Sequence, residues 1–564
     1  MINNSTLFKI ALSFQMVAVA CSTATFNSDS EIKKQYTRTI EIIFEQQSVR
    51  IDGDTINGIQ IVVDDGNVNV QSVVAGVNYI IGGQTTEGSL CFSSREACCI
   101  TLNNAEITSS QATPLRITSP NDTYLLLSSN SNNIITDATT EPIGDKITRK
   151  QWAGIYANGN LTIAGSGILT VSSITRQAIK TSGSLSVISN PIINAQSVKH
   201  HSITAKKNIS ICGGNITATS QADAKNALKS GGSISINNGT LTLECSGNAS
   251  PKKKDLTDYK TAACIAADSS VIIRHGDVCL RATGDAAKGI KTDASFEMYG
   301  GLLMIQTSGT SVHGSAKGIK ADGNVNISGG RIRILSSTSE GIESKNEMHI
   351  SGGNITVEAS DDALNAACHL HISGGNIIAR SATNDAIDSN GNLCITGGTI
   401  TAIGGQMPEC GIDANDEEGY SVIITGGTMI AIGGWNSMPI QTKESQPIVT
   451  AQGKFDSATL TDIEGRVIMS FDKIITNTFK LSERQPPLPP DSLFIAHQMT
   501  RQLPPPNHEL SYIFSSPSIV NGQKYSVSIG SEQKIDTEAQ LAPQRPLMPM
   551  PPPMSQVKEQ HYPQ

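Results

Sequence analysis

Lys317-Gly-Ile-Lys-Ala-Asp-Gly-Asn-Val-Asn-Ile-Ser-Gly-Gly330 is followed by Glu340-Gly-Ile-Glu-Ser-Lys-Asn-Glu-Met-His-Ile-Ser-Gly-Gly353. The same phrase returns in shortened form as Asp362-Ala-Leu-Asn365 with His371-Ile-Ser-Gly-Gly375, and as Asp385-Ala-Ile-Asp388 with Cys394-Ile-Thr-Gly-Gly398. Repetition at this interval marks a solenoid, a propeller or an array, and it decides the fold before any motif is read. The apolar residue of the phrase recurs at Ile155, Ile179, Ile203, Leu228, Ile265, Ile290, Ile319, Ile342, Leu364, Ile387 and Ile412. Most intervals are 22 to 25 residues, with one of 29 and one of 37. The longest holds Pro251-Lys-Lys-Lys-Asp255, whose proline and charge read as a loop inserted into one turn.

Each unit carries two short alternating segments, such as Asn324-Val-Asn-Ile-Ser328 and Arg331-Ile-Arg-Ile-Leu335, separated by a Gly-Gly pair. Alternation over four to six residues argues half-buried strands, and paired glycines supply the corner. The segments are too short for a helical repeat, and a propeller blade needs roughly 40 residues. About 22 residues at roughly 3.3 Å each make one turn of a three-sided coil. The reading is an all-β, right-handed parallel β-helix of about 11 or more rungs of about 23 residues. Glycine at 50 of 564 residues and an aromatic content of 4% suit many corners around thin aliphatic stacks.

Organisation follows from where the repeat begins and ends. Residues 1–21 read as a secretory signal, with Ala18-Val-Ala-Cys21 resembling a bacterial lipobox in which alanine replaces the usual leucine; Cys21 is the candidate lipidation site, with ordinary signal cleavage as the other reading. The chain is thus expected to be exported and lipid-anchored at the outer membrane or cell surface. Residues 22–38 read as a flexible tether, 39–150 as an N-terminal cap with irregular first rungs, and 151–434 as regular repeats. Residues 435–535 read as a strand-rich C-terminal cap interrupted by Pro486-Pro-Leu-Pro-Pro490 and Pro504-Pro-Pro506, and 536–564 as a disordered proline-rich tail. Eleven cysteines are too few for a disulfide framework. Cys212, Cys279 and Cys394 read as fillers of the apolar stack, while Cys91 with Cys98-Cys99 offers one disulfide near the N-terminal cap.

The residue after each buried anchor projects to the opposite side. From Ile179 onward it is Lys180, Thr204, Lys229, Ala266, Lys291, Lys320, Glu343, Asn365, Asp388 and Asp413. Two residues before the anchor, the last six units read Lys288, Lys317, Glu340, Asp362, Asp385 and Cys410. Both columns change from basic to acidic at the same rung. Stacked rungs bring like charges to about 4.8 Å, where they repel. A hard cation relieves such repulsion, and Ca²⁺ takes about six to eight oxygen ligands. Glu343, Asp361, Asp362, Asp385, Asp388 and Asp413 are therefore candidate Ca²⁺ ligands, against the alternative of solvated corner residues. Lys291, Lys317 and Lys320 are candidate contacts for an acidic polymer, against the alternative of a solvated lysine face. A net charge of −8 with few aromatics offers neither the basic field nor the stacking platforms of a nucleic-acid binder.

The repeated phrase, with its Asp-Asp-Ala-Leu and Asn-Asp-Ala-Ile corners, resembles a family of bacterial carbohydrate-binding domain-containing proteins. These are secreted β-helices of pectate-lyase-like shape. Val62-Val-Asp-Asp-Gly66, Ile155-Tyr-Ala-Asn-Gly-Asn-Leu-Thr-Ile-Ala-Gly165 and Val520-Asn-Gly-Gln-Lys-Tyr-Ser-Val527 extend the likeness to roughly residues 40–530. The resemblance implies binding of plant-type polysaccharide, acidic pectic chains or cellulose, with Ca²⁺ at acidic corners matched best by Asp361, Asp362, Asp385 and Asp388. Cys410 interrupts the acidic column and Ala266 the lysine one. A polysaccharide lyase or hydrolase on the same scaffold, drawing on Lys320 near Glu340 and Glu343 or on Asp362 with Asp385, is the alternative. An adhesin-like surface protein is a third reading.

Overall fold

The computed structural model describes residues 28–53, 57–140, 150–472, 509–531 and 533–541. Cys21 and the signal segment, the first residues of the expected tether, both proline runs and the chain after 541 lie outside them. The repeat coils into a parallel β-helix. One wall is a sheet of fifteen strands: fourteen parallel ones, one from each turn, from Asn67–Ser72 to Ile412–Ala414, with Ile59–Asp64 antiparallel at the edge. Register along this wall is unbroken: Ile290, Ile319, Ile342, Leu364, Ile387 and Ile412 stand above one another and are fully buried.

The other walls form a sheet of 24 strands, continuous because strands such as Met348–Ala359 and Leu370–Ser381 run on around the Gly-Gly corner. The pairing register shifts at that corner, between Ile350 and Ser351 and again before Asn354. Both glycines are required there. Gly375 has φ +93°, a conformation that side chains rarely adopt. A Cβ at Gly374 would press into the Ser351 carbonyl oxygen of the preceding turn.

Both ends of the coil are closed by antiparallel pairing, which removes the exposed edge that invites aggregation. At the first turns, Arg38–Glu45 pairs with Ser48–Gly53, and Ile59–Asp64 with Asn67–Ser72. At the other end, Glu509–Ser515 pairs antiparallel with Met429–Gly433 and with Ile448–Lys454. A separate apolar cluster around Leu460, Tyr512, Phe514 and Val527 fills this cap. The insertion at 251–255 is a hairpin tip, with Ser250–Pro251 paired to Tyr259–Lys260.

Four expectations are corrected. The described part of the tether is ordered: Asp29–Gln35 is a helix capped by Ser28, and Arg38 opens the first strand. Ile32 and Tyr36, one helical turn apart, meet Cys99, Tyr124, Leu126, Ala164 and Ile188 on the outside of the coil, so the short apolar pair anchors an otherwise polar segment. The expected tail begins inside a strand, Gln533–Glu538, paired with Lys524–Ile529; Ala539 is buried beyond it. Cys91, Cys98 and Cys99 are free thiols, since Cys91 lies on the fifteen-stranded wall and the other two on the larger sheet. Cys212, Cys279 and Cys394 are half-buried on the outer surface, because Ile211, Val278 with Leu280, and Leu393 with Ile395 hold the inward positions.

Each rung packs on two neighbours, so one missing anchor is felt locally. Ile319→Ala is expected to cost about 2–5 kcal/mol, whereas Asn326→Ala, on the outer surface of the next strand, should stay within about 0.5 kcal/mol. Urea denaturation of the two variants checks this; equal losses would contradict the assigned register.

Candidate functional site

The fifteen-stranded wall carries the charge columns on its outer face. Lys291, Lys320, Glu343, Asn365, Asp388 and Asp413 stand in strict register. Where the sign changes, the two halves neutralise each other. Lys317 Nζ lies 2.6 Å from Glu340 Oε1 and 2.6 Å from Glu343 Oε1, and all three side chains are buried. Lys345 also pairs with Glu343, and Ser339 donates to Glu340. Although burial alone would raise Glu340, the Lys317 ammonium holds its carboxyl below the usual range. The structure thus pairs Glu343 with Lys317 and Lys345.

Lys317 is spent in that network, and Lys320 pairs with Asp322. Lys288 is buried and donates to Thr261 Oγ1 at 3.2 Å and Ala286 O at 3.0 Å. Burial, then repulsion from Lys291, Lys317 and Lys320, pushes its ammonium down to about 7. Of the three lysines expected to meet an acidic polymer, Lys291 alone has no ion-pair partner among the described residues.

Below this network the acids converge. Asp385, Asp388 and Asp413 each present a carboxylate oxygen within 4.8 Å of the others. Asn365 donates from Nδ2 to Asp362 Oδ2 at 2.7 Å and to Asp388 Oδ2 at 2.9 Å, tying Asp362 to the group. The Asp385 amide donates to Asp362 Oδ1 at 3.1 Å, the Cys410 amide to Asp385, and the Ser437 hydroxyl to Asp413. Asp361 stands at the outer corner, where Asn384 Nδ2 donates to it at 2.7 Å. Among the described residues no ion pair includes Asp361, Asp362, Asp385, Asp388 or Asp413.

Burial and mutual repulsion raise three of these carboxyls above the usual range. Burial, then the charges of Asp362, Asp385 and Asp413, pushes Asp388 up to about 8. Asp362 rises to about 7, chiefly by burial with Asp361 and Asp385 adding to it. Asp385 rises to about 6, again chiefly by burial, with Asp413 and Glu409 contributing. An all-oxygen set of carboxylates on successive rungs is the donor chemistry of a hard cation rather than of zinc or copper.

An exposed tryptophan completes the column. Trp435 forms a parallel bridge with Cys410, so the sequence Asp362, Asp385, Cys410, Trp435 descends one edge of the wall. Its side chain is 56% exposed, beside exposed Met407. Its backbone N–H donates to Glu409 O at 2.9 Å. The next residue, Asn436, closes the ladder: its Oδ1 accepts from the Gly411 and Ile412 amides at 2.9 and 3.2 Å. Sequence reasoning missed Trp435 because the repeat phrase stops at Gly434. The available signal was Gly433-Gly434 at the rung interval, next to one of only two tryptophans in the chain. The histidine column is also present: His349 and His371 are in register, edge to face, with centroids 6.3 Å apart.

The chain is a parallel β-helix whose outer wall carries a charge pattern along its axis. The carbohydrate-binding domain-containing protein family model matches residues 64–249, 224–311 and 286–363, together more than half of the chain, and the chain belongs to that family. A carbohydrate-binding role goes with that membership. A polysaccharide lyase-like protein from C. thermocellum, solved as a gadolinium derivative, is similar over 46% of this chain and 96% of its own, at 22% identity and a TM-score of 0.38. No curated protein matches the chain.

The raised carboxyls give stability a definite slope. Their folded values exceed the unfolded value of about 3.9, so the native state binds more protons, and stability falls as pH rises through the folded values. In chelator, the melting temperature should fall between pH 5 and 7, and Asp388→Asn should flatten that fall. A wild-type profile no steeper than the variant's would contradict the proton-holding cluster.

Proposed function

We propose that this protein binds acidic plant-type polysaccharide, with Ca²⁺ held at the rung corner of Asp362, Asp385, Asp388 and Asp413. The observation that carries this reading is the set of converging carboxylates with no basic partner among the described residues. Asp385, Asp388 and Asp413 would hold the ion directly, with Asp362 tied beside them by the Asn365 amide donor. When bound, the cation supplies coordination to carboxylate and hydroxyl oxygens of a sugar. The exposed indole of Trp435, one rung beyond Cys410, offers a flat apolar surface for a sugar ring beside that ion. Pectic chains bring both the carboxylates and the rings; cellulose would use the indole alone.

Binding, rather than turnover, suits the lysines of this wall. Lys320, the candidate base, is held by Asp322, and Lys317 is enclosed between Glu340 and Glu343. Export and anchoring through Cys21 complete the proposal, since a polysaccharide-binding rod meets its ligand outside the cell.

Retention on immobilised polygalacturonate tests the site. Wild type should be retained in Ca²⁺ and weakened at least about tenfold by chelator, Asp388→Asn or Asp413→Asn, each of which removes charge-assisted contacts. Retention indifferent to chelator and to both variants would overturn the cation-dependent reading. No unsaturated uronate absorbance should develop during the incubation.

A further inference from the structure

A second site lies near the other end of the same wall. Lys150, Tyr156, Lys180, Ser182, Thr204 and Lys206 line an open pocket of about 410 Å³. Tyr156, Lys180 and Thr204 are the outward residues of three successive rungs, so the coil itself sets their spacing. The Tyr156 hydroxyl is fixed by Asn158 Oδ1 at 3.2 Å and Ser182 Oγ at 3.1 Å. Lys180 Nζ donates one proton to Lys150 O at 2.6 Å and keeps two.

Two features of this pocket are unsatisfied. Thr204 is only 9% exposed, and its Oγ1 has no hydrogen-bond partner among the described residues although it lines the cavity. Burying a hydroxyl without a partner is costly, so such groups are normally matched by protein, water or ligand. The second feature is charge. Among the described residues no ion pair includes Lys150, Arg176, Lys180 or Lys206. Arg176 Nε is also buried without a partner among the described residues. Burial, then Arg176 and Lys150, depresses the Lys180 ammonium. The contrast with Lys317, Lys320 and Lys229, each matched by a carboxylate, is direct.

We infer that this pocket is a subsite for an acidic sugar residue, its carboxylate seated on the Lys180 and Lys206 ammonium groups and a ring oxygen or hydroxyl meeting Thr204 Oγ1. The inference rests on the carbohydrate-binding reading but not on the cation site. The pocket lies inside the family-matched segment 64–249, whereas Asp385, Asp388 and Asp413 lie beyond the last matched residue. Its nearest rung, that of Thr204, is separated from Asp388 by seven rung steps, roughly 34 Å at about 4.8 Å each. One long acidic chain laid along the wall would thus meet lysines at one end and a cation at the other.

Calorimetric titration of the full chain with an α-1,4-linked galacturonate trimer, in chelator, isolates the pocket. Binding is expected to persist without Ca²⁺ and to weaken about tenfold or more in Lys180→Gln and in Lys206→Gln. Lys206 is exposed, so its variant should fold as wild type does. Thr204→Val should weaken the trimer less than either lysine variant, and a neutral cellotriose should not compete. Absence of trimer binding in chelator, or unchanged affinity in both lysine variants, overturns the subsite. Either result leaves the Asp388→Asn comparison on polygalacturonate intact, so the two sites fail separately.

Discussion

Stacking at about 4.8 Å per turn is the constraint on which this molecule depends. It makes every column of the coil a ladder of near neighbours. For apolar residues the ladder is favourable: Ile290, Ile319 and Ile342 bury one another completely. For charged residues it is costly, because each rung repeats the charge of the last. The outer wall shows three responses to that cost. Opposite charges interleave where the sign changes, as Lys317 does between Glu340 and Glu343. Protons are retained where only acids meet, as at Asp388. In the pocket of Lys180 and Lys206, the lysines have no ion-pair partner among the described residues.

The first response is structural and the other two invite ligands. A buried ion pair stabilises modestly at best, but removing one partner leaves a charge stranded in a poorly solvated place. That argument makes Lys317, Glu340 and Glu343 a seam that holds two halves of the wall in register, not a surface for recognition. The acid corner and the lysine pocket are different: the first gathers carboxylates without a basic partner among the described residues, and the second is an open pocket lined by the Thr204 hydroxyl and unpaired lysines. A solenoid suits this arrangement because its rigid axis fixes the distance between the sites.

Much of the architecture was legible in the sequence because it is periodic. The anchor column from Ile155 to Ile412 and the register of Lys320 over Glu343 follow from spacing alone, and the coil adopts them. What spacing could not convey is which carboxylate a lysine reaches. Lys317 and Lys320 share one rung face, yet one folds down to Glu343 and the other takes Asp322. Long flexible side chains decide such pairings in three dimensions. The alternation also misled: Cys279 and Cys394 look like fillers by residue type, but their phase places them outside. Ile32 and Tyr36 escaped notice because two apolar residues in a polar segment make no pattern until Tyr124 and Ile188 are brought beside them. Trp435 lies just past the last repeat phrase, and the bridge to Cys410 that extends the column is a tertiary fact.

The central claim is that the acid corner takes a hard cation. Terbium(III), which replaces Ca²⁺ at oxygen sites, reports this directly through luminescence excited at the tryptophan band, with Trp435 as the nearby indole. The account predicts a saturable signal displaced by Ca²⁺, abolished in Asp388→Asn with Asp413→Asn, and much reduced in Trp435→Phe although the ion still binds. A signal that never saturates, or one unchanged when both aspartates are replaced, would contradict it.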